Sequence, residues 1–339
     1  MQTNLPVLVE VTRGDIVESR HHGSFAIVGK NGALLHAAGD IHGPVYPRSA
    51  IKAFQALPLL ESGAADQFGF SDEELALAIS SHNGEPEHVR VAKSMLEKAG
   101  VNEADYECGS HWPYDHKALR ALIAEGGAPR DIHNNCSGKH AGMLAAAKAL
   151  SAPTKAYSTI DHPLQQAIAK AMGEICEIDL HKATWAIDGC SVPTWAIPLQ
   201  NLARGFQKFA SGEGLSEARK NACQRLINAA KNHPFMVAGS DRFCTNLMQA
   251  LPRAFLKDGA EGMFCASIPH AGLGVAIKCE DGAHRAAEVA CAGVLSLLDV
   301  WNEAERKVLE NFMREPIKSR KGVIVGEVRS VIANNPALH

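Results

Sequence analysis

Ser49 and Lys52 lie three residues apart, a spacing at which a lysine could act as the base for a serine nucleophile. Pro47 ends an extended approach to them and an apolar run follows, so the serine is expected at the start of a helix, with the amine one turn inside. A serine hydroxyl is a weak nucleophile, but a neutral amine within hydrogen-bond reach can take its proton. The amides at the helix start would also favour a developing oxyanion. On this tetrad alone a helix cap beside a solvated lysine is the simpler interpretation, and other stretches must decide.

A second serine, Ser81, falls in the polar break Ser81–Glu85 between two predicted helices. Polar loops held by rigid helices commonly carry sites, although a turn rich in Asn and Gly needs no function. Ser49 with Lys52, and Ser81 with a later basic residue, could form a relay in which one lysine activates the nucleophile and the second serine carries protons to the leaving group. Two unrelated caps are the alternative. Lys257-x-Gly resembles the Lys-Thr-Gly element of serine acyltransferases but lacks the middle hydroxyl.

Two cysteines and a lysine, Cys136, Lys139 and Cys190, form a second candidate group in tight turns rich in Gly and Ser. Thiolates are good zinc ligands, whereas lysine ligates only when it is neutral. Buried free cysteine is the structural alternative. A competing enzymatic interpretation makes Cys136 the nucleophile with His133 or His140 as its base, because helix N-termini lower the pKa of a thiol.

Three charged residues, Arg48, Glu85 and Asp188, could together bind an amino acid. Such a substrate needs an anion for its ammonium group and a cation or helix N-terminus for its carboxylate. Taken singly, each of them is better explained as a surface charge or a cap.

The elements that must position these residues begin and end with strands. A strand is predicted over 6–12, and a hairpin over 25–36, because Asn31-Gly32 suits a type I′ turn between two apolar runs. A second hairpin is predicted over 263–278 and a last strand over 322–328. Strands at both ends around a helical middle, about residues 70–255, predict an α+β fold in a single domain of 1–339, with one antiparallel sheet completed by both termini.

Helix boundaries are indicated by caps. Ser71 to Glu74 is a capping box ahead of an apolar run, and the next helix is predicted from Pro86 to Ala99, ending at Gly100. Ser137 is the expected N-cap of an alanine-rich helix that carries Lys139 in its first turn.

Composition excludes some classes of partner. The chain has 339 residues, 46% hydrophobic and 21% charged, with a net charge of −3. This gives no electrostatic reason to expect nucleic acid or an anionic membrane as a partner. The start lacks a basic and apolar leader, and no apolar run approaches transmembrane length, so a cytoplasmic protein is expected. Nine cysteines without a Cys-x-x-Cys are expected to be reduced thiols.

With these segments in place, the chain resembles the rhizobial-type L-asparaginases, also called the asparaginase II family, over nearly its whole length. The motifs that carry the resemblance are Pro-Arg-Ser-x-x-Lys (47–52), Ser-His-Asn-Gly-Glu (81–85), Asn-Asn-Cys-Ser-Gly-Lys-His (134–140), Asp-Gly-Cys-Ser-Val-Pro-Thr (188–194), His-Pro-x-Met-Val-Ala-Gly (233–239) and Lys-x-Gly-Ala-Glu-Gly (257–262).

The resemblance implies a serine β-lactamase or glutaminase-like fold, a homodimer, and hydrolysis of L-asparagine to L-aspartate and ammonia. It implies that Ser49 is the nucleophile with Lys52 beside it, and that Ser81 with Lys257 is a second serine–lysine tandem.

The resemblance also implies a zinc site near the substrate, held by Cys136, Lys139 and Cys190. Asp188 would then orient the substrate or brace the metal ligands. Zinc in such a site would position substrate rather than generate hydroxide, because a lysine-activated serine already supplies the nucleophile.

Other classes of function remain open from the sequence. One is a glutaminase or a broader serine amidase on the same fold. A penicillin-recognising binding protein is a second, which the absence of an export signal argues against. A third is a sensor of a metal or an amino acid, which would bind asparagine without releasing ammonia.

Overall fold

The structure, a computed structural model, describes residues 5–333, 335 and 338. Its contacts divide the chain into two compact units. The sheet unit gathers the described residues of 1–50, 196–213 and 250–339, and the helical unit comprises 51–195 and 214–249. The helical unit thus starts earlier than the predicted helical middle and gives residues 196–213 to the sheet unit. The single-domain organisation stays a prediction.

Strands and helices occur in separate blocks along the described chain. The β-strands are β1 (Val7–Arg13), β2 (Ile16–Val28), β3 (Leu34–Ala38), β4 (Pro44–Val45), β5 (Trp185–Ile187), β6 (Pro193–Trp195), β7 (Ile197–Pro198), β8 (Phe255–Gly259), β9 (Met263–Ile268), β10 (Leu273–Cys279), β11 (Arg314–Lys318) and β12 (Ile324–Ser330). The α-helices are α1 (Lys52–Gln55), α2 (Leu57–Glu61), α3 (Ala64–Gln67), α4 (Asp72–Ala78), α5 (Pro86–Ala99), α6 (His116–Ala124), α7 (Ser137–Ala149), α8 (Pro163–Cys176), α9 (Leu199–Ser211), α10 (Glu217–Asn232), α11 (Pro234–Val237), α12 (Phe243–Ala250), α13 (His284–Ser296) and α14 (Glu303–Phe312).

The sheet unit is built on one antiparallel sheet. Within the described residues it has eight strands in the order β11-β12-β1-β2-β10-β9-β8, with β3 also paired to β2. Strand β1 lies between β2 and β12, so that Val9 is the register partner of both His21 and Ser330. The predicted α+β class is confirmed, and so is the prediction that strands from both ends of the sequence complete the sheet.

The first hairpin has the predicted turn. Asn31 has φ 57 and ψ 23 and Gly32 has φ 73, both left-handed as a type I′ turn requires, and the Ala33 N–H donates to the Lys30 carbonyl at 3.2 Å. Strand β2 begins at Ile16, well before the apolar run that predicted it. Its first half alternates exposed and half-buried positions, and this polar stretch carries no apolar signal.

The β8–β9 end of the sheet is buried on both faces. Every residue of β8 and β9 is buried, and α9 packs on β10 at Gly274. A Cβ there would lie 2.1 Å from the Gln207 nitrogen and 2.2 Å from the Ala203 oxygen, so only glycine permits this approach of helix to strand. On the neighbouring strand the Ser267 hydroxyl donates to the Phe206 carbonyl at 2.6 Å. The helix is therefore fixed to the sheet by both packing and hydrogen bonding.

The helical unit confirms the predicted start of α4 and both ends of α5, whereas α4 ends at Ala78, short of the predicted Ser80. The Ser71 hydroxyl accepts from the Glu74 N–H at 3.4 Å, and the Glu74 carboxylate accepts from the Ser71 N–H at 2.7 Å, which is a complete capping box. Helix α5 ends at Gly100, which has φ 61. In the part of the chain that the structure describes, no helix is both long enough and apolar enough to cross a membrane.

The expected cap of α7 is not formed by Ser137. Cys136 occupies the N-cap position and Ser137 is the first helical residue. The Asn134 side-chain oxygen accepts from the Cys136 N–H at 2.8 Å, and the Ser137 hydroxyl is instead in contact with His82 Nε2 at 2.9 Å. The serine is used to connect two segments, because the asparagine already satisfies the turn before the helix.

Candidate active site

Ser49 lies in a tight 3₁₀ helix, Arg48–Ile51, that leads directly into α1. The expected cap is not formed by Ser49, because the 3₁₀ turn comes first and Ile51 occupies the N-cap position of α1. Arg48 has φ 52, a left-handed conformation that costs a residue with a side chain about 1–2 kcal/mol. Backbone strain of this kind persists where the surroundings hold it and is concentrated at functional sites.

Strand β8 lies against this turn within the sheet unit. A Cβ at Gly259 would come 2.5 Å from the Pro47 carbonyl and 3.1 Å from the Ala50 nitrogen, the neighbours of Ser49 on either side. Gly259 follows Lys257 by two residues, so the sheet unit brings the strand of the predicted lysine to the turn of the predicted nucleophile.

Lys257 is completely buried and is paired with its neighbour. Its Nζ donates to Asp258 Oδ1 at 2.6 Å and to the Asp258 carbonyl at 3.0 Å. Sequence reasoning missed Asp258 because successive side chains of a strand point to opposite faces. The contact forms here because the strand is about to end, at Gly259.

In the helical unit the Lys52 amine is held on a serine hydroxyl. Lys52 is the first residue of α1 and is 1% exposed. Its Nζ lies 2.9 Å from Ser81 Oγ and donates to the Ser80 carbonyl at 2.5 Å. This is the contact that a lysine base needs. The sequence paired Lys52 with Ser49, and Ser81 with Lys257; those two pairings stay predictions.

His82 anchors the loop that carries Ser81. It is completely buried, and its Nδ1 accepts from the Gly84 N–H at 3.0 Å, so Nε2 carries the proton and donates to Ser137 Oγ. Burial, followed by the charges of His88 and Lys52, holds the pKa of His82 well below its ordinary value. A neutral His82 therefore ties this loop to the start of α7. No role was predicted for His82, because nothing in the neighbouring sequence indicates Ser137 as its partner.

Glu85 is fixed by a second loop. Its carboxylate accepts from the Ser240 N–H at 2.7 Å and from the Ser240 hydroxyl at 2.8 Å. The preceding Gly239 has φ 119, and a Cβ there would lie 2.7 Å from Glu85 Oε1. Only glycine allows this approach, so the carboxylate is held in one place. Its role towards a substrate ammonium group stays a prediction.

Cys136, Lys139 and Cys190 converge in the helical unit as a buried cluster. Lys139 Nζ donates to Cys190 Sγ at 2.9 Å, and the Cys136 thiol donates to Asn135 Oδ1 at 3.4 Å. Cys190 lies in the turn between β5 and β6, where Ser191 has a left-handed φ of 72. The three predicted metal ligands are thus brought together, although their positions lie far apart in the sequence.

The surroundings of the cluster treat the two sulfurs differently. The neighbouring Cys136 side chain, together with the charge of Lys139, holds the pKa of Cys190 well below its ordinary value despite burial. The neighbouring Cys190 side chain, with burial, raises the pKa of Cys136. Burial opposes a charge on Lys139, but the neighbouring Cys190 and Cys136 raise its pKa. Of the two sulfurs, Cys190 is therefore the one whose surroundings favour a thiolate.

This distribution disfavours Cys136 as a nucleophile. A raised thiol pKa opposes thiolate formation at Cys136. Of the two histidines considered as its base, His133 uses Nδ1 to accept from the Arg130 N–H at 3.1 Å, and His140 uses Nδ1 in a hydrogen bond of 2.7 Å to Tyr157. Both rings are oriented by other partners.

The same residues fit a zinc ion. Two sulfurs and an amine are the soft and basic donors that zinc accepts. The amine of Lys139 would have to lose its proton in order to bind the metal. Across residues 5–333, 335 and 338, no group of three or more His, Cys, Asp or Glu side chains could hold a metal. A zinc site at Cys136 and Cys190 therefore needs the lysine as its third protein ligand.

Two further predicted residues lie in different units. Asp188, in the helical unit, accepts from the Gly189 N–H at 2.7 Å. Burial is the largest influence on the pKa of Lys139 and lowers it, whereas the charge of Asp188 is one of the influences that raise it. Arg48, in the sheet unit, lines a cavity of about 510 Å³ together with Asp40 and Lys278. A cavity of about 570 Å³ lies between α5 and α6, and its lining includes Lys93 and His133 but none of the residues that the resemblance assigns to the site.

The buried contact between Lys52 and Ser81 is of the kind found in enzymes that use an activated hydroxyl. Residues 9–330 match the family model described as L-asparaginase II, so the chain belongs to this family of amidohydrolases. The resemblance stated from the motifs is confirmed. No curated protein matches the chain.

Solved structures give weaker likenesses. The chain is similar to the crystal structure of Mglu, at 14% identity and a TM-score of 0.36, over 86% of this chain and 66% of Mglu. It is also similar to a β-lactamase from Mycobacterium bovis, at 13% identity and a TM-score of 0.39, over 91% of this chain and 96% of that one. The chain therefore spans just under two thirds of the length of Mglu, and TM-scores this low carry no argument about it.

Proposed function

We propose that this protein is an L-asparaginase that hydrolyses L-asparagine to L-aspartate and ammonia through a serine nucleophile and an acyl-enzyme. Family membership supports the reaction class. The observation that carries the proposal is the buried hydrogen bond of 2.9 Å between the Lys52 amine and the Ser81 hydroxyl. A lysine amine that is shielded from water and in contact with a serine hydroxyl is the pair of groups that a proton relay requires.

In the first step Ser49 Oγ attacks the side-chain amide carbon of asparagine. Lys52, as a neutral amine, takes the hydroxyl proton, and the C–N bond breaks to leave an ester between Ser49 and the substrate β-carbonyl. The amide nitrogen gains one proton and leaves as ammonia. Ser81, with Lys257, delivers that proton.

In the second step Ser81 with Lys257, now one proton short, takes a proton from a water molecule whose oxygen adds to the ester carbonyl. The bond between the carbonyl carbon and Ser49 Oγ then breaks, Lys52 returns its proton to Ser49, and L-aspartate leaves. Asp258 keeps Lys257 in place, and His82 keeps the Ser81 loop in place, through the contacts described above. A dry, fixed arrangement of this kind lowers the barrier because little reorganisation is needed during the reaction.

The substrate is held by charge. Glu85 and Asp188 are the anions for its ammonium group, and Arg48 is the cation for its α-carboxylate. Cys136, Lys139 and Cys190 would hold zinc, which would supply a positive centre for orienting substrate oxygen.

Ammonia release from L-asparagine and from L-glutamine tests the proposal, measured for the wild type, Ser49→Ala and Cys136→Ala, with metal content determined on the same samples. The exposed Ser110 gives a matched control, Ser110→Ala. We expect asparagine to be the better substrate, activity to be lost in Ser49→Ala, and a pre-steady-state burst of about one ammonia per chain only in variants that keep Ser49.

Two results would contradict the proposal. Activity that survives Ser49→Ala but disappears in Cys136→Ala would mean a thiol amidase. A higher kcat/KM for glutamine would make the protein a glutaminase with the same serine chemistry.

A further inference from the structure

The cavity of about 570 Å³ between α5 and α6 lies within the helical unit and contains none of the residues used in the proposed serine chemistry. Its lining includes Gly84, where an added Cβ would lie 3.1 Å from the His133 carbonyl oxygen. The cavity therefore borders the loop Ser81–Glu85. Its volume is in the range of small-molecule sites, about 300–1,000 Å³.

One nearly buried side chain offers this cavity a hydrogen-bond donor. His133 lines the cavity and is 9% exposed. Its Nδ1 accepts from the Arg130 N–H at 3.1 Å, so the neutral imidazole carries its proton on Nε2. Among the residues that the structure describes, this Nε2–H has no acceptor. An oxygen atom of a ligand in the cavity would supply the missing acceptor.

The charged side chains at the cavity add a cation and two anions. Lys93, Glu97 and Glu125 line it, and within the described part of the chain none of these three side chains has an ion pair or a hydrogen bond. Arg90 also lines the cavity, but its guanidinium is already paired with two other carboxylates. Lys93 and Glu97 lie four residues apart on α5, so their Cβ atoms are about 5–6 Å apart on one helix face. A ligand with an anion and a cation close together can pair with both.

The rest of the lining is largely apolar. Val89 on α5 and Ala118, Ala121 and Leu122 on α6 line the cavity. Helix α6 has no buried residue, so the described chain leaves its apolar side chains partly uncovered. Covering them with an apolar group of a ligand would gain about 25 cal/mol for each Å² removed from water.

We propose that this cavity is a binding site for an α-amino acid with an apolar side chain of about the size of valine or leucine. Lys93 and the His133 Nε2–H bind its carboxylate, and Glu97 binds its ammonium group. Glu125 adds negative charge on the ammonium side, and the ligand side chain packs on the apolar lining. A polar amino acid such as asparagine would bury its amide against apolar groups. The inference does not rest on the proposed function.

Calorimetric titration of the full-length protein with L-leucine tests the proposal. We expect one leucine to bind per chain. Lys93→Ala should weaken binding about 10-fold, as expected for a lost hydrogen bond to a charged group, whereas Lys93→Arg should stay close to the wild type. Lys117→Ala is the matched control and should bind as the wild type does, because Lys117 is an exposed lysine of α6 that does not line the cavity.

Two other ligands separate the parts of the amino acid. 4-Methylpentanoate lacks the amino group of leucine, and L-alanine lacks most of its side chain, so each should bind about 10-fold more weakly than leucine or worse. Glu97→Gln should weaken the binding of leucine and leave that of 4-methylpentanoate unchanged, because only leucine carries an ammonium group.

Absence of saturable leucine binding to the wild type would overturn the proposal, and so would equal affinities for leucine and 4-methylpentanoate. An affinity for leucine that falls in Arg48→Ala but not in Lys93→Ala would place leucine in the proposed substrate site and would also overturn it. Because binding is measured without hydrolysis, the proposed function can fail while this inference holds, and the reverse is equally visible.

Discussion

Lys52 can act as a base only when it is neutral, which makes arginine the sharpest substitution at this position. Arginine is a strong donor but does not lose its proton in proteins. We expect Lys52→Arg to lower kcat about 10²- to 10⁴-fold, the usual contribution of a general base. Ammonia release measures it, with Lys117→Arg on the exposed surface of α6 as the control. Retained activity in Lys52→Arg would mean that the residue acts only through its positive charge.

Arg48 offers a test of stored backbone strain that does not depend on activity. Its φ of 52 is natural for glycine and unfavourable for alanine. Arg48→Gly should therefore be more stable than Arg48→Ala by about 1 kcal/mol, measured by urea denaturation. The same pair at Arg120, inside α6, should show the opposite order by a similar amount. Equal stabilities at position 48 would show that the turn relaxes when the side chain is removed.

Some of the site could be predicted from residues alone. The residue types of Cys136, Lys139 and Cys190 and their tight turns suggested a cluster despite their wide separation in sequence, and the structure brings them together. The contact of Lys52 with Ser81 could not be assigned in this way, because it joins residues 29 apart in sequence. His82 and Asp258 lack any local signal, since one depends on a distant helix start and the other on the end of a strand.

Among the elements, α4 carries a group whose ionisation stabilises the fold. Burial opposes it, but hydrogen bonds from Lys98, Ser71 and Ser94 hold the pKa of Glu74 below its ordinary value of 4.5. Because the pKa is lowered on folding, the stabilisation is present above about pH 4.5 and is lost as the pH falls through the folded pKa.

Substituting Glu74 tests this linkage. Glu74→Gln should cost about 2 kcal/mol at pH 7, as expected for hydrogen bonds to a buried charge. The difference from wild type should shrink steadily towards about pH 3.5. Urea denaturation across this range measures it, and Glu73→Gln next in the helix should change stability by no more than about 0.5 kcal/mol. A difference that does not depend on pH would place the effect in packing rather than in ionisation.

Element boundaries followed the sequence where a local chemical signal exists. The capping box at Ser71 and the glycine at 100 placed α4 and the end of α5, and Asn31-Gly32 placed the first hairpin. The beginning of β2 and all of β11 have mixed polarity, and they form strands because neighbouring strands pair with them. The prediction that Ser137 caps α7 was wrong, because its hydroxyl is hydrogen-bonded to His82 instead.

In the whole molecule, β12 completes the sheet, because it lies between β11 and β1 although it is far from β1 in the sequence. It pairs with β1, and the Val331 N–H donates to the Leu8 carbonyl at 3.0 Å. Removing residues 323–339 should leave the apolar strand β1 with an open edge, and such edges promote aggregation. We expect this truncated protein to be insoluble, as judged by sedimentation of the expressed chain.

A circular permutant provides the matched control. Opening the chain at Gly322, in the exposed turn between β11 and β12, and joining residues 339 and 1 by a short flexible linker keeps every strand. Because the start of β1 and the end of β12 lie side by side, this permutant should be soluble and folded. If truncated and permuted chains are equally insoluble, continuity at residue 322 is what matters, rather than the presence of β12.

The pairing of β1 with β12 also has a consequence for folding during translation. The ribosome synthesises β1 before the whole stretch of chain that separates it from β12. Contacts so distant in sequence close slowly, and the nascent sheet meanwhile exposes an unpaired strand. During translation the nascent chain should therefore bind chaperones through the unpaired β1, and it should dissociate from them only when β12 has emerged from the ribosome.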